Sequence, residues 1–75
     1  MIIGIGTKMK VVGVDDGFVR ITGIFIGCGS DQKWSTSVDL EINRVGYPSS
    51  ITQVPANELT RGINKGVYVV FDAHA

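Results

Sequence analysis

The chain has 75 residues, 44% of them hydrophobic and 19% charged, and its seven basic side chains balance its seven acidic ones. This composition is that of a globular protein and excludes a disordered polymer; the length predicts one domain, residues 1–75. Without net charge, the chain lacks the excess of cations that drives non-specific attachment to nucleic acid. A domain this small commonly gains stability by forming oligomers.

The N-terminal third predicts two strands joined by a short turn. Lys8 to Val14 forms the first strand, and Asp15-Asp16-Gly17 forms the turn, in which Gly17 is expected to take a positive φ. The second strand, Phe18 to Ile26, changes its apolar phase at Thr22-Gly23, as strands do at a β-bulge or a barrel corner. The pattern therefore favours a curled barrel over a flat sheet.

Residues 34–43 carry the clearest pattern in the chain. Large or β-branched side chains alternate there with small polar or acidic ones over five consecutive pairs. Because side chains of a strand alternate between its two sides, this segment is predicted to be a central antiparallel strand with one buried side. The buried side is expected to hold Trp34, Thr36, Val38, Leu40 and Ile42, and the solvent side Ser35, Ser37, Asp39, Glu41 and Asn43.

The C-terminal part predicts two more strands around a helical turn. Ile51 to Val54 forms a short fourth strand, and Pro55 to Arg61, followed by Gly62, forms a single helical turn of the 3₁₀ kind. Val67 to Phe71 is a final strand with little alternation. Together these elements predict an all-β fold, a five- to six-stranded antiparallel barrel with one short helical turn.

This order of elements resembles that of SH3-like barrels. Gly6-Thr7-Lys8-Met9-Lys10-Val11 resembles the segment that opens many of these modules, and Gly23-Ile24 resembles the small residue in their second strand. Val54-Pro55-Ala56-Asn57-Glu58-Leu59 looks like the Pro-led helical turn before their last strand. The resemblance covers about residues 4–63 and implies an SH3-like fold.

One family of such barrels, the plasmid-borne type II dihydrofolate reductases, is similar over a further stretch. Ser50 to Pro55, followed by Leu59, Arg61, Ile63 and Asn64, has the layout of the end of that family, whose barrels form a tetramer around a pore. The family's pore-lining Val-Gln-Ile-Tyr run is replaced here by Ile51-Thr52-Gln53-Val54, and eleven residues follow Asn64. The resemblance therefore implies the fold and oligomers, without the reductase's pore-lining set.

The residues with reactive side chains do not form a catalytic pattern. His74, the single histidine, is interpreted as part of a solvated tail. Cys28, the single cysteine, is interpreted as a spectator thiol, and Asp15 and Asp16 as turn residues. The sequence thus predicts no catalytic residue, no metal ligand and no cofactor, and it favours a non-enzymatic protein.

The expected compartment is the cytoplasm. A lone cysteine leaves no intrachain disulfide, which fits a reducing environment. The opening Met-Ile-Ile-Gly-Ile-Gly has no basic region and too short an apolar run for a signal peptide, and no segment reaches the roughly 18 apolar residues of a membrane span. We therefore expect no membrane contact.

Aromatic and charged residues near loop ends predict a contact surface. Small barrels bind ligands by presenting rings beside charged loop residues. The loops 27–33 and 44–50 are therefore expected to form a ligand-binding surface from Trp34, Tyr47, Asp31, Lys33 and Arg44. In the alternative interpretation, Trp34 begins the buried side of its strand and plugs one barrel end.

The last strand predicts an interface between copies. It is apolar on both faces, and a barrel of this size cannot cover both. Burial against the N-terminal Met1 to Ile5 segment is the alternative. The expected homo-oligomer interface consists of Val67, Tyr68, Val69, Val70 and Phe71.

Three functions fit these patterns. The preferred one is a binding module that acts as a homo-oligomer or on a protein partner. The second is a nucleic-acid-binding barrel, which would contact phosphates with its cations and stack bases on its rings: Lys8, Lys10, Arg20, Lys33, Phe18 and Trp34. This function is disfavoured because Asp39 and Glu41 would repel phosphate. The third is an oligomeric pore enzyme like the reductases, which would bind a nicotinamide cofactor with Thr52 and Gln53 repeated around a symmetry axis.

Overall fold

One antiparallel sheet organises the protein. The computed structural model describes residues 2–73, so His74 lies outside the described residues. The strands are β1 (Lys8–Val11), β2 (Gly17–Cys28), β3 (Trp34–Arg44), β4 (Ser50–Pro55) and β5 (Tyr68–Asp72), and helix α1 spans Ala56–Asn64. The strands lie in the order β4-β3-β2-β1-β5, which confirms the all-β prediction. Within residues 2–73, β4 and β5 are unpaired edges, so the sheet is open and not a closed barrel.

The core lies between one side of this sheet and α1. We call this side the core side and the opposite one the outer side. Leu59 of α1 is buried, and Ala56 and Ile63 at helical spacing pack beside it. Full burial of a leucine side chain such as that of Leu59 contributes roughly 1.5–3 kcal/mol. The buried residues are Thr7, Met9, Val19, Ile21, Gly23, Val38, Leu40 and Leu59.

The alternation of β3 is confirmed for half of its length. Val38 and Leu40 are buried and Ile42 is partly buried, as predicted. Trp34 and Thr36, four and two residues before Val38, are exposed instead. The prediction that they are buried is wrong because the strand continues past the end of the core.

A β-bulge lies at the predicted phase change of β2. Ile21 is opposite Leu40 and Gly23 is opposite Asp39, so Thr22 is the extra residue. Because of this insertion, Ile24 falls opposite Val38 and shares the core side with it. The change of apolar phase in the sequence was therefore a correct signal of a bulge.

The turn between β1 and β2 differs from the predicted one. β1 ends at Val11, and the positive φ of 89° belongs to Gly13, whereas Gly17 is already the first residue of β2. Gly17 is required for another reason: a Cβ at this position would collide with the Asn43 carbonyl oxygen and meet Arg44 Cα at 3.0 Å. β2 and β3 can thus approach each other this closely because residue 17 has no side chain.

The helical segment is longer than predicted. It is a nine-residue α-helix and not a single 3₁₀ turn. Gly62 lies inside the helix, against the Tyr68 ring, and the positive φ that follows the helix belongs to Gly66. The expected stop at Gly62 is wrong because tertiary packing of the helix on the sheet outweighs the low helix propensity of glycine. Within residues 2–73, no helix has the length and apolar character needed to cross a membrane.

Replacing Gly17 tests the close approach of β2 and β3. We expect Gly17→Ala to lower the free energy of unfolding by about 1–3 kcal/mol, because the new methyl group overlaps the Asn43 carbonyl. Gly27→Ala, on the same strand with open space around its Cβ position, is the control and should change stability little. Urea unfolding measures both, and equal stabilities for the two variants would contradict the assigned contact.

Candidate functional site

The predicted ligand-binding residues lie at the two ends of β3. Trp34 begins this strand and Arg44 ends it, which separates them by roughly 33 Å along the chain. Asp31 and Lys33 lie near Trp34, and Tyr47 lies near Arg44. The five residues therefore form two separate groups and not one surface.

The first group lies on a projecting two-stranded ribbon, which we call the arm and define as residues 24–37. β4 pairs with β3 only from Ser37 onward, and β1 pairs with β2 at Val19 and Arg20. Apart from the pair of Ser37 with Pro55 at its base, the arm therefore pairs only within β2 and β3 in the described sheet. The molecule is accordingly elongated, measuring 41 × 27 × 22 Å. A two-stranded ribbon without a covering layer is marginally stable in water, which makes the arm a candidate contact element.

The core side of the arm is apolar and exposed. Register places Ile26 opposite Thr36 and Cys28 opposite Trp34 on this side. Ile26 is 70% exposed and Trp34 is 72% exposed, so the interpretation of Trp34 as a plug is wrong. At the tip, the Asp31 carboxylate accepts a hydrogen bond from the Lys33 backbone N–H at 3.1 Å. The thiol of Cys28 is exposed beside this tip.

The second group is built around Arg44. Its Nε and Nη2 atoms donate hydrogen bonds to the Asp16 carboxylate at 3.2 and 3.1 Å. Its guanidinium carbon lies 5.1 Å from the centre of the Tyr47 ring, within the range of a cation–π contact. The hydrogen bonds from Arg44 hold the pKa of Asp16 below its usual value. Asp16 is thus an ionised partner of Arg44 as well as a turn residue, a pairing between distant chain positions that the sequence pattern did not reveal.

The last strand has one covered face and one exposed face. Tyr68 and Val70 pack against the core, whereas Val67, Val69 and Phe71 are exposed. The Phe71 ring meets the Phe18 ring edge to face, with centroids 6.1 Å apart. Tyr68 and Val70, predicted as interface residues, therefore lie on the inner face of the strand, and the exposed members leave an apolar strip at one edge of the sheet.

The outer side of the sheet collects part of the predicted nucleic-acid set. Lys8 lies opposite Arg20, and Lys10 lies two residues farther along on the same side. The Lys8 amine is 5.7 Å from the centre of the Phe18 ring. Lys33 and Trp34, the other members of that set, lie on the arm and not with this group.

Acidic residues share the outer side with these cations. The Glu41 carboxylate accepts hydrogen bonds from Asn43 at 2.9 Å and from Arg20 at 2.9 and 3.1 Å, and these bonds hold its pKa below the usual value. Asp72 is opposite Lys8 in the register of β1 and β5. The cationic character of this side is therefore partly neutralised.

The two residues considered for a reductase-like pore have different surroundings. Thr52 lies opposite Leu40 on the core side of β4, whereas Gln53 lies opposite Asp39 on the outer side. The Gln53 amide nitrogen is 3.5 Å from Asp39 Oδ1. The two side chains consequently point to opposite sides of the sheet.

Comparisons of the chain with protein-family models, with curated proteins and with solved structures find no match. Within residues 2–73, the side chains of His, Cys, Asp and Glu form no group of three or more that could hold a metal ion.

The ion pair of Asp16 and Arg44 predicts a loss of stability in acid. Because folding lowers the pKa of Asp16, its contribution is present above the pKa of the unfolded chain, about 4, and is lost as the pH falls through the lower folded-state pKa. We expect urea unfolding between pH 6 and pH 3 to show a smaller loss for Asp16→Asn than for the unchanged protein. Asp15→Asn, at the adjacent carboxyl outside this pair, should follow the unchanged protein, and parallel curves for all three would refute the assignment.

Proposed function

We propose that this chain is a non-enzymatic, SH3-like binding module that acts as a homo-oligomer, with β5 as the contact between copies. The observation that carries the proposal is the unpaired edge of β5 together with its exposed apolar side chains. Val69 is 52% exposed, and Phe71 and Val67 flank it. A strand of this kind offers backbone hydrogen-bonding groups and an apolar strip to the same partner.

The choice of β5 over the other edge rests on composition. Proteins usually protect edge strands with charges, proline or bulges. β4 is rich in polar residues and ends at Pro55, where α1 begins. β5 reads Tyr-Val-Val-Phe-Asp, and its single charge is Asp72 at the end. Antiparallel pairing of two β5 strands around a two-fold axis would place Val69 and Phe71 of both copies on one surface, and a chain without net charge does not oppose such an approach.

The arm supplies the proposed ligand contact of each copy. Trp34 is a rigid aromatic side chain of the kind that interface centres commonly hold, and Asp31 and Lys33 beside it are of the kind that interface rims hold. Because the arm lies at the far end of β2 and β3 from the core, it stays accessible in a dimer built on β5. Self-association and ligand binding therefore use different parts of the molecule.

A pair of matched variants tests the oligomer. We expect light scattering to give an oligomeric mass for the unchanged chain and a monomeric mass for Val69→Lys, because a lysine at the edge places a charge in the contact. Ile51→Lys, on the outer side of the opposite edge strand and 64% exposed, is the control and should keep the oligomeric mass.

The fluorescence of Trp34 locates the contact independently. As the only tryptophan, it reports the surroundings of the arm. Its emission should stay at long wavelength and be the same in the oligomer and in Val69→Lys, because the arm is outside the proposed contact. A monomeric mass for the unchanged chain, or an oligomeric mass for Val69→Lys, would refute β5 as the interface; a blue shift on association would place the contact on the arm.

A second candidate function, binding of single-stranded nucleic acid, is favoured by the positions of Lys8, Lys10 and Arg20. They lie on one side of the sheet next to the Phe18 ring, and cations beside exposed rings are typical of surfaces that bind unpaired nucleotides. The ion pair of Arg20 with Glu41 weakens this candidate because it occupies one of the three cations.

A salt titration separates the second candidate from the first. If nucleic acid is the ligand, a labelled oligonucleotide of roughly 12 nucleotides should bind at low salt and dissociate as the salt concentration rises. Lys10→Gln should weaken this binding, whereas Lys65→Gln, at an exposed lysine after α1, should not. Absence of binding at low salt, or equal effects of the two variants, would reject nucleic acid as the ligand.

A further inference from the structure

An apolar cavity of about 180 Å³ lies on the core side of the sheet, at the end opposite the arm. All five strands contribute to it: Val11 and Val19 come from β1 and β2, Leu40 from β3, Val54 from β4 and Tyr68 from β5. It occupies the region where the sheet is open, since β4 and β5 line it and do not pair with each other. The cavity thus follows from the topology of the fold.

The cavity is partly open to solvent, and the side chains around it are less closely packed than those of an interior. Protein interiors are packed at the density of organic crystals and contain few voids larger than a water molecule. The walls of this cavity are mainly aliphatic side chains, which offer few hydrogen bonds to water. An apolar occupant would restore the contacts that the aliphatic walls lack.

The charges at the rim restrict the occupant further. Arg44 and Asn43 are the polar members of the lining on β3. The Arg44 guanidinium is engaged by the Asp16 carboxylate at 3.1 Å and lies against the Tyr47 ring. Because the positive charge of Arg44 is balanced by Asp16, the rim offers no net charge to a ligand.

We propose that this cavity is a binding site for a small uncharged aromatic or aliphatic molecule about the size of one substituted benzene ring. The size follows from the volume, since an apolar cavity of about 150 Å³ lined by aliphatic and aromatic side chains accommodates benzene. The lack of charge follows from the neutral rim. The site uses the inner face of β5 through Tyr68, whereas the proposed contact between copies uses the exposed face, and it lies away from the arm, so it adds a small-molecule function to the proposed binding module.

A titration with toluene, followed by amide signals in two-dimensional NMR spectra of the full chain, tests the proposal. We expect saturable shifts at Val54, Ile42 and Tyr68 and unchanged signals on the arm. Benzoate and benzylammonium, which have a similar size and opposite charges, should bind at least roughly tenfold more weakly than toluene, because the apolar walls cannot solvate a charge. Non-saturable shifts, or equal affinities for the charged compounds, would overturn the proposal.

Two neighbouring substitutions on β4 provide the matched pair. Thr52→Phe places a ring on the core side, where Thr52 lines the cavity, and should weaken toluene binding at least roughly tenfold by filling the site. Gln53→Phe places the same ring on the outer side of the strand and should leave the affinity unchanged. Equal binding by both variants would refute the assigned position.

A measurement on the unchanged protein keeps the test decisive if Thr52→Phe does not fold. Nuclear Overhauser effects between toluene protons and the methyl groups of Val11, Ile42 and Val54 are expected, and contacts to Val69 or Ile26 instead would overturn the proposal. If toluene does not bind but a phenylalanine-containing peptide binds at these methyl groups, the cavity accepts a partner's side chain and not a small molecule. None of these results depends on the mass of the oligomer, so this proposal and the β5 contact can fail separately.

Discussion

The extra residue at Thr22 determines which side chains this sheet can bury. Without it, Val19 and Ile21 would face α1, whereas Ile24 and Ile26 would face away, because a strand alternates strictly between its two sides. The bulge shifts the second half of β2 by one position, so that all four lie on the core side. A single continuous apolar surface thereby runs from β1 to the end of the arm, and α1 covers only its middle.

Two of the three candidate surfaces lie where α1 no longer covers the apolar side of the sheet. Beyond one end of the helix, the apolar surface continues as the exposed core side of the arm. Beyond the other end, it becomes the wall of the cavity between β4 and β5. The outer side of β5 has a different origin, since it faces away from the helix altogether. The molecule therefore has three separate apolar regions. The five residues that were expected to share one ligand-binding surface lie at two opposite ends of the molecule.

The parts of the fold that were predicted correctly depend on local patterns. The alternation from Val38 to Ile42 and the phase change at Thr22 reflect the period of a strand, which the residues themselves carry. The split of the last strand into inner and exposed residues follows from the same period. The helix was underestimated because Gly62 resembles a stop signal, whereas its packing against Tyr68 is a tertiary contact. The exposure of Trp34 was missed for a related reason: alternation tells which side a residue occupies, but the reach of the core depends on where α1 lies. The pairing of Asp16 with Arg44 likewise depends on strand register, which local patterns do not specify.

The order of the strands in the sheet also indicates the order in which they pair during folding. β1 to β4 are joined by successive hairpins, whose pairing brings together near neighbours in the chain and is therefore fast. β5 pairs with β1 instead, so the two ends of the chain must meet before the sheet is complete. Until β5 pairs, the edge of β1 that faces it has no partner. An edge without a partner is the part of a sheet most open to pairing with another strand, so the pairing of β5 both completes the sheet and protects β1.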